Sequence, residues 1–252
     1  MLASSSAGNS AFLATDRTRI LIDAGLSRRE IGKRLAAIGE DMANLDAILL
    51  THEHCDHTSG LTAIVRGAKR AVPVYLTRGT FQFVDWGESC PTIEVFQAGC
   101  GFTIGDFDVS SFTIPHDAMD PVGFTVRSQG IKMAIATDLG YITESLRIHL
   151  KNSDVVVLES NHDLEMLRVG PYPWSVKQRV MSRRGHLSNE VAAEFIAKDL
   201  DSTVETVILG HISEHNNHPE LVRNLALRAI RNPLFTKLFV AEPGVQSPVF
   251  CY

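Results

Sequence analysis

Three histidines and one aspartate lie within six residues in the first quarter of the chain. They form the pattern His-x-His-x-Asp-His from His52 to His57, with His54 and Asp56 between. Alternate side chains of an extended segment share one face, so His52 and His54 can bind one ion together. Burying four such groups without a cation would be costly. The pattern therefore predicts a metal site, and imidazole and carboxylate ligands without thiolate suit Zn²⁺, Mn²⁺ or iron.

Polar residues also follow short apolar runs where predicted strands end. The exits of buried strands converge on one cleft in open α/β sheets, so we expect such residues to share an active site. The residues of this kind are Asp23, His52, Asp138, Glu159 and His211.

The elements that position these residues alternate between strands and amphipathic helices. Strands are predicted at 20–22, 47–50, 133–136, 155–158 and 207–209. Ser27 and Glu30 have the spacing of a capping box for one helix, which Gly39 ends. A second helix is predicted to start near Thr58, and Ser188 or Asn189 could cap a later one. Glycines punctuate residues 72–112, which favours antiparallel hairpins there.

Length and composition are those of an ordinary globular protein. With 252 residues, 44% hydrophobic and 21% charged, we expect one domain over 1–252. A net charge of −5 gives no global attraction to nucleic acid or to a membrane, although a local basic groove remains compatible with it.

The sequence also bears on location. It predicts no signal peptide or transmembrane helix and hence no membrane partner. The cysteines lack the CxxC spacing and do not suggest a disulfide framework, which favours a cytoplasmic protein. They are Cys55, Cys90, Cys100 and Cys251.

The His-x-His-x-Asp-His pattern is the hallmark of the metallo-β-lactamase superfamily, and the chain resembles that superfamily in the order and spacing of its other motifs. These include His116 in Ile-Pro-His-Asp, Asp138 in Thr-Asp-Leu-Gly and His211 in Gly-His-Ile-Ser. More narrowly, the chain resembles the YycJ/WalJ branch, whose relatives include ribonuclease Z and PhnP phosphodiesterases. The segments that carry this likeness are 3–10, 159–163, 170–174 and 184–189.

The resemblance implies an α/β (α+β) fold, the four-layer αββα sandwich, with two divalent metal ions, Zn²⁺ or Mn²⁺, with iron as a third option. The ligands of the first ion would be His52, His54 and His116. Those of the second would be Asp56, His57 and His211. Asp138 would bridge both ions, and Asp23 would hydrogen-bond a ligand histidine and fix its orientation.

A dinuclear site of this kind predicts hydrolysis. Two ions lower the pKa of a bridging water and polarise the oxygen under attack. The resemblance makes His186 the candidate general acid, and Asp56 and Asp138 join it as catalytic residues. Such an acid contributes about 10²–10⁴-fold to the rate.

Substrate class is the more open question. The basic stretch before His186 and the branch resemblance favour a phosphodiester, and the resemblance implies a DNA exonuclease that acts from a 5′ end. The candidate substrate-binding residues are Asn161, His162, Lys177, Arg179, Arg183 and Asn216.

Several alternatives stay open from the sequence. One is a hydrolase of a small ester, thioester or cyclic phosphate. Another is a partner-binding domain without activity, against which the intact ligand set argues. The sequence leaves undecided the native metal, DNA against RNA, the polarity of attack and the oligomeric state, for which a homodimer is one option.

Overall fold

Two β-sheets form the centre of the fold in the computed structural model, which describes residues 1–87 and 91–252. The first sheet has its strands side by side in chain order: β1 (Ala3–Ser5), β2 (Gly8–Ala14), β3 (Arg19–Ile22), β4 (Ala47–Leu49), β5 (Val74–Thr77) and β6 (Ile93–Phe96). The second sheet, also in chain order, contains β7 (Gly101–Ile104), β8 (Phe107–Thr113), β9 (Val122–Ser128), β10 (Ile131–Ala136), β11 (Val155–Glu159), β12 (Thr206–Gly210) and β13 (Lys237–Val240).

Short helices flank the sheets. They are α1 (Arg28–Ala37), α2 (Cys55–Thr58), α3 (Leu61–Arg66), α4 (Arg78–Phe83), α5 (Glu144–Leu150), α6 (Leu164–Val169), α7 (Trp174–Val180), α8 (Asn189–Lys198) and α9 (Pro219–Ala229). Within residues 1–87 and 91–252, none is long and apolar enough to cross a membrane. Cys55, Cys100 and Cys251 are free thiols, and Cys90 lies outside the described residues.

Alternation of side chains along the central strands builds three apolar layers. Leu49 of β4 faces the layer between the two sheets, whereas its neighbour Ile48 packs with Ile31 of α1 on the outer side. In the second sheet Val157 faces the layer between the sheets, and Leu158 packs against α5, α8 and α9. The order helix, sheet, sheet, helix confirms the predicted αββα sandwich.

The prediction of hairpins for residues 72–112 is wrong in its first half. β5 pairs in parallel with both β4 and β6, and α4 begins directly after β5. These strands continue the parallel part of the first sheet, in which β6 is the last and partly exposed strand. β7 and β8 do form an antiparallel hairpin, turned at Gly105 with φ of +56°.

The helix starts agree with the sequence at two places and differ at a third. Ser27 accepts a hydrogen bond from Glu30 N, and Ser188 accepts one from Val191 N, which confirms both caps. The helix predicted near Thr58 is instead two helices, with α2 ending at Thr58. The chain breaks there because Gly60 packs so closely on Leu26 that a Cβ would lie 1.9 Å from its carbonyl oxygen.

Candidate metal centre

The polar residues at the strand ends meet at one end of the sandwich. Asp23 follows β3, Asp138 lies two residues after β10, and His211 follows β12. All three have left-handed backbones, with φ of 62°, 63° and 54°. Aspartate and histidine tolerate this conformation better than most residues, and it turns each side chain sharply out of its strand. The strand ends thus direct their polar side chains into one cleft.

Three histidines form the first cluster of possible ligands. His52 Nε2 lies 3.1 Å from His54 Nδ1, and His116 Nε2 lies 3.2 Å from the same atom. His52 and His116 are buried, and His54 is partly open to solvent. The cluster joins the exit of β4 to the loop after β8, and hence the two sheets.

Two aspartates and two histidines form the second cluster. Asp56 and His57 come from α2, and their possible ligand atoms lie within 4.8 Å of those of Asp138 and His211. His57 Nε2 is 3.3 Å from Asp138 Oδ2, and His211 Nε2 is 3.2 Å from Asp138 Oδ1. Asp138 Oδ1 is also 3.8 Å from His116 Nε2 of the first cluster. Asp138 therefore lies between the two clusters.

Hydrogen bonds to the far sides of the rings fix which nitrogen faces the clusters. His57 Nδ1 lies 2.8 Å from Asp23 Oδ2, and His116 Nδ1 lies 3.2 Å from the Gly185 carbonyl oxygen. Both partners are hydrogen-bond acceptors, so each Nδ1 carries the hydrogen and each Nε2 faces the cleft. Such partners set the tautomer of metal-binding histidines.

These groups cannot satisfy one another without a cation. His54 Nδ1 faces both His52 Nε2 and His116 Nε2, and one nitrogen cannot complete hydrogen bonds with two others. Asp138 Oδ2 is buried and accepts no hydrogen bond within the described part of the chain. Burial lowers the pKa of His57, but the carboxylates of Asp138 and Asp23 outweigh it and raise that pKa well above its usual range. The donor set fits divalent metal ions.

The family of the chain follows from its sequence match. Residues 18–212 match the model of the β-lactamase superfamily domain. The chain belongs to the β-lactamase superfamily. This confirms the resemblance seen in the motifs, and divalent metal binding agrees with both the fold and the clusters.

Relatives within this superfamily cover nearly the whole chain. The exodeoxyribonuclease WalJ of Streptococcus pneumoniae is 35% identical over 259 residues, covering 99% of this chain and 96% of that protein. The exodeoxyribonuclease YycJ of Bacillus anthracis is 37% identical over 226 residues, covering 88% and 85%. The metallo-β-lactamase fold protein YhfI of Bacillus subtilis superposes with a TM-score of 0.73 at 16% identity, covering 97% and 96%. The last likeness shows a shared fold.

A buried carboxylate supports two histidines at the edge of the site. Glu159 Oε1 lies 2.7 Å from His186 Nδ1 and 3.0 Å from His211 Nδ1. Glu159 Oε2 accepts hydrogen bonds from the backbone nitrogens of Leu139 and Leu187. Burial raises the pKa of Glu159, but the charge of His186 and hydrogen bonds from both histidines outweigh it and lower the pKa to about 2. The strand-exit pattern pointed to Glu159 but gave it no role.

His186, the candidate general acid, lies beside the clusters. Its ring stacks on that of His211 with centroids 5.2 Å apart, and its Nδ1 is 3.9 Å from Asp138 Oδ1. About a fifth of its side chain is exposed. Because Glu159 holds Nδ1, the nitrogen available to a bound molecule is Nε2.

Other supporting residues carried little signal in the sequence. Asn9, from the first hairpin, places Nδ2 3.2 Å from Asp56 Oδ2 and 3.1 Å from His57 Nε2. Thr51 donates a hydrogen bond to Asp23, and Ser4 accepts one from the backbone nitrogen of His211. The Ser/Gly/Asn segment around Asn9 was visible, but its contact with the metal motif was not.

Three predicted substrate-binding residues lie beneath the cleft. Asn161 donates to the His211 carbonyl at 2.8 Å, and Asn216 is buried with its amide on Ser213. His162 is buried, and burial lowers its pKa to about 4. The structure places these side chains against protein atoms, not at the surface.

The three predicted basic residues before His186 differ in their surroundings. Lys177 is buried and donates to the Arg168 carbonyl at 2.8 Å, which removes it from the surface. Arg179 pairs with Asp117. Arg183 is exposed, with its guanidinium 4.3 Å from the centre of the Tyr141 ring. Of the three predicted residues, Arg183 is the one whose charge is not paired with an acid or held by a carbonyl within the described residues.

Proposed function

We propose that the chain is a metal-dependent phosphodiesterase that acts as an exonuclease on DNA, with residues 1–252 as one cytoplasmic hydrolase domain. The observation that carries this proposal is the position of Asp138, which belongs to the second cluster of possible metal ligands and lies beside the first. The near full-length relatives named exodeoxyribonucleases support the choice of DNA.

In this proposal the site holds two divalent ions, Zn²⁺ or Mn²⁺. The ligands of one are His52, His54 and His116, those of the other are Asp56, His57 and His211, and Asp138 serves both. When bound, such ions supply a nucleophilic water at neutral pH and polarise a phosphoryl oxygen.

The protein itself then supplies the proton for the leaving group. The alkoxide that leaves from DNA is a strong base, so its departure needs protonation. Glu159 holds Nδ1 of His186, which leaves Nε2 as the nitrogen that would donate to the leaving oxygen. We assign His186 as the general acid and Glu159 as the residue that positions it.

Metal content and substrate range test this function together. The purified protein, loaded with Zn²⁺ or Mn²⁺, should bind about two ions per chain. It should cut 5′-phosphorylated DNA in preference to RNA and a thioester. Less than one ion per chain would contradict the dinuclear site, and turnover of the thioester alone would favour the small-molecule hydrolase.

The assignment of His186 predicts dependence on the leaving group. His186→Ala should slow cleavage of DNA by about 10²–10⁴-fold. It should slow bis-p-nitrophenyl phosphate much less, because nitrophenolate leaves without a proton. The measurement is kcat on both substrates, with bound metal counted in each variant. An equal loss on both substrates would remove His186 from the role of general acid.

A further inference from the structure

A groove beside His116 runs away from the metal centre over the surface. Its volume is about 530 Å³, and its walls include Met119, Tyr141, Arg183 and Arg184. Arg184 donates from Nε to the His116 carbonyl at 3.2 Å. The groove is thus lined by a residue of the first cluster, by two cations and by one carboxylate, that of Asp120.

Arg183 is the least committed of the cations near the site. Arg179 is neutralised by Asp117, and Lys177 caps the carbonyl end of α6. The Arg183 side chain, by contrast, has no hydrogen bond or ion pair within residues 1–87 and 91–252. Its guanidinium instead lies over the ring of Tyr141. Stacking holds a guanidinium flat while leaving its N–H donors free.

Close backbone packing fixes this arginine relative to the metal centre. Gly140 follows Asp138 by two residues, and a Cβ on it would lie 2.2 Å from the Arg183 carbonyl carbon. Gly140 N also donates to the Pro115 carbonyl at 3.0 Å. The turn that holds Arg183 therefore packs directly on the loops that present Asp138 and His116.

We propose that this groove binds the nucleotide next to the scissile phosphate, with Arg183 holding the neighbouring phosphate. This inference rests on the proposed function, since it takes DNA as the substrate. A planar guanidinium binds phosphate oxygens in a bidentate manner, and its uncovered face offers a surface on which a base can stack. Tyr141 orients Arg183 for both contacts.

The test removes the positive charge of Arg183 and the negative charge of the neighbouring phosphate, first separately and then together. Wild type and Arg183→Ala cut an oligonucleotide in which either linkage flanking the scissile one is a neutral methylphosphonate. We expect Arg183→Ala alone, or the methylphosphonate alone at the linkage that Arg183 contacts, to lower kcat/KM about tenfold. This is the effect of losing one charge-assisted contact. For the flanking linkage that Arg183 contacts, combining both changes should cause no further loss, because they remove the same interaction.

Two further variants locate the effect. Tyr141→Leu should weaken DNA binding in the same direction but less, since it leaves Arg183 present and unoriented. Arg168→Ala, an exposed arginine paired with Glu165 on α6, should leave DNA cleavage unchanged. All three variants should hydrolyse bis-p-nitrophenyl phosphate, which has no neighbouring phosphate, at the wild-type rate.

The outcomes separate the groove from the proposed function. Two results would overturn the contact between Arg183 and a neighbouring phosphate. The first is that the effects of Arg183→Ala and of the methylphosphonate multiply at both flanking linkages. The second is that Arg183→Ala cuts DNA normally. An equal loss on bis-p-nitrophenyl phosphate would mean damage to the metal centre instead. A wild type that leaves DNA intact would overturn the proposed function and the groove together.

Discussion

Glu159 connects His186, at the edge of the site, to His211 of the second cluster. One of its oxygens serves His186 and His211, and the other is held by two backbone N–H groups. A carboxylate can accept all four bonds, whereas an amide of the same shape cannot. The orientation of both rings therefore depends on the charge of this residue.

Glu159→Gln should lower kcat on DNA by about 10–100-fold, the usual cost of losing a partner of a metal-binding histidine. The amide nitrogen would face either two histidine N–H groups or two backbone N–H groups. The measurement is kcat together with bound metal per chain. Glu165→Gln, at an exposed ion pair on α6, is the matched control and should behave as wild type. Full activity of Glu159→Gln would mean that neither ring needs the carboxylate.

Sequence reasoning reached the possible ligands because their types and local spacing carry the chemistry. His52, His54, Asp56 and His57 are adjacent in the chain, and the structure brings His116, Asp138 and His211 to them. It could not reach Asn9, whose contact with Asp56 spans 47 residues. It also offered no sign of Tyr141, because a lone tyrosine carries no motif. Such contacts exist only once the loops are folded.

Among the helices and strands, α2 depends on very close backbone packing for its position. It carries Asp56 and His57 and packs its backbone against the loop after β3. Gly25 donates its N–H to the Asn9 carbonyl at 2.9 Å, and a Cβ on it would lie 1.7 Å from the Asp56 carbonyl oxygen. Helix and loop can meet this closely because residue 25 has no side chain.

Gly25→Ala should destabilise the fold by at least about 1–3 kcal/mol, because the new methyl group meets backbone that cannot rotate away. It should also lower metal content, since α2 must shift. Gly32→Ala on α1 is the control: there the nearest atom is the end of Met42 at 3.4 Å. Because Gly32 lies in the interior of α1, its replacement by alanine should raise the free energy of unfolding by about 0.5–1 kcal/mol. Urea denaturation measures both, and equal stabilities would contradict the packing argument.

The same crowding explains what the sequence missed at this scale. The helix start expected near Thr58 falls where α2 ends, and the break at Gly60 coincides with its close contact with Leu26. For β5 and β6 the glycine-rich surroundings favoured hairpins, but pairing partners far along the chain decided a parallel arrangement. Caps such as Ser27 and Ser188 were predicted correctly because they depend on three or four neighbouring residues.

For the molecule as a whole, stability resides in three apolar layers, of which the one between the sheets also carries the site. The strands that end at Asp23, Asp138 and His211 all contribute to it. The motif resemblance made the four-layer class predictable. The pairing order of β1 to β13 was not predictable, because it is set by contacts between distant segments.

Leu49→Ala should cost about 2–5 kcal/mol of unfolding free energy, since Leu49 is fully buried between the sheets. Leu234→Ala should change it by less than about 0.5 kcal/mol, because Leu234 is fully exposed. Chemical denaturation of both variants makes the comparison. Similar losses would mean that the layer between the sheets is not the main source of stability.

The separation of the two clusters along the chain also sets an order in time. Asp56 and His211 are 155 residues apart, yet their side chains lie 3.3 Å from each other. At about 5–20 residues per second, a ribosome completes that interval in roughly 10–30 s. During that interval the His52–His57 motif has been made but His211, its partner in the second cluster, has not. The second cluster of possible ligands therefore becomes complete only after β12 has been made.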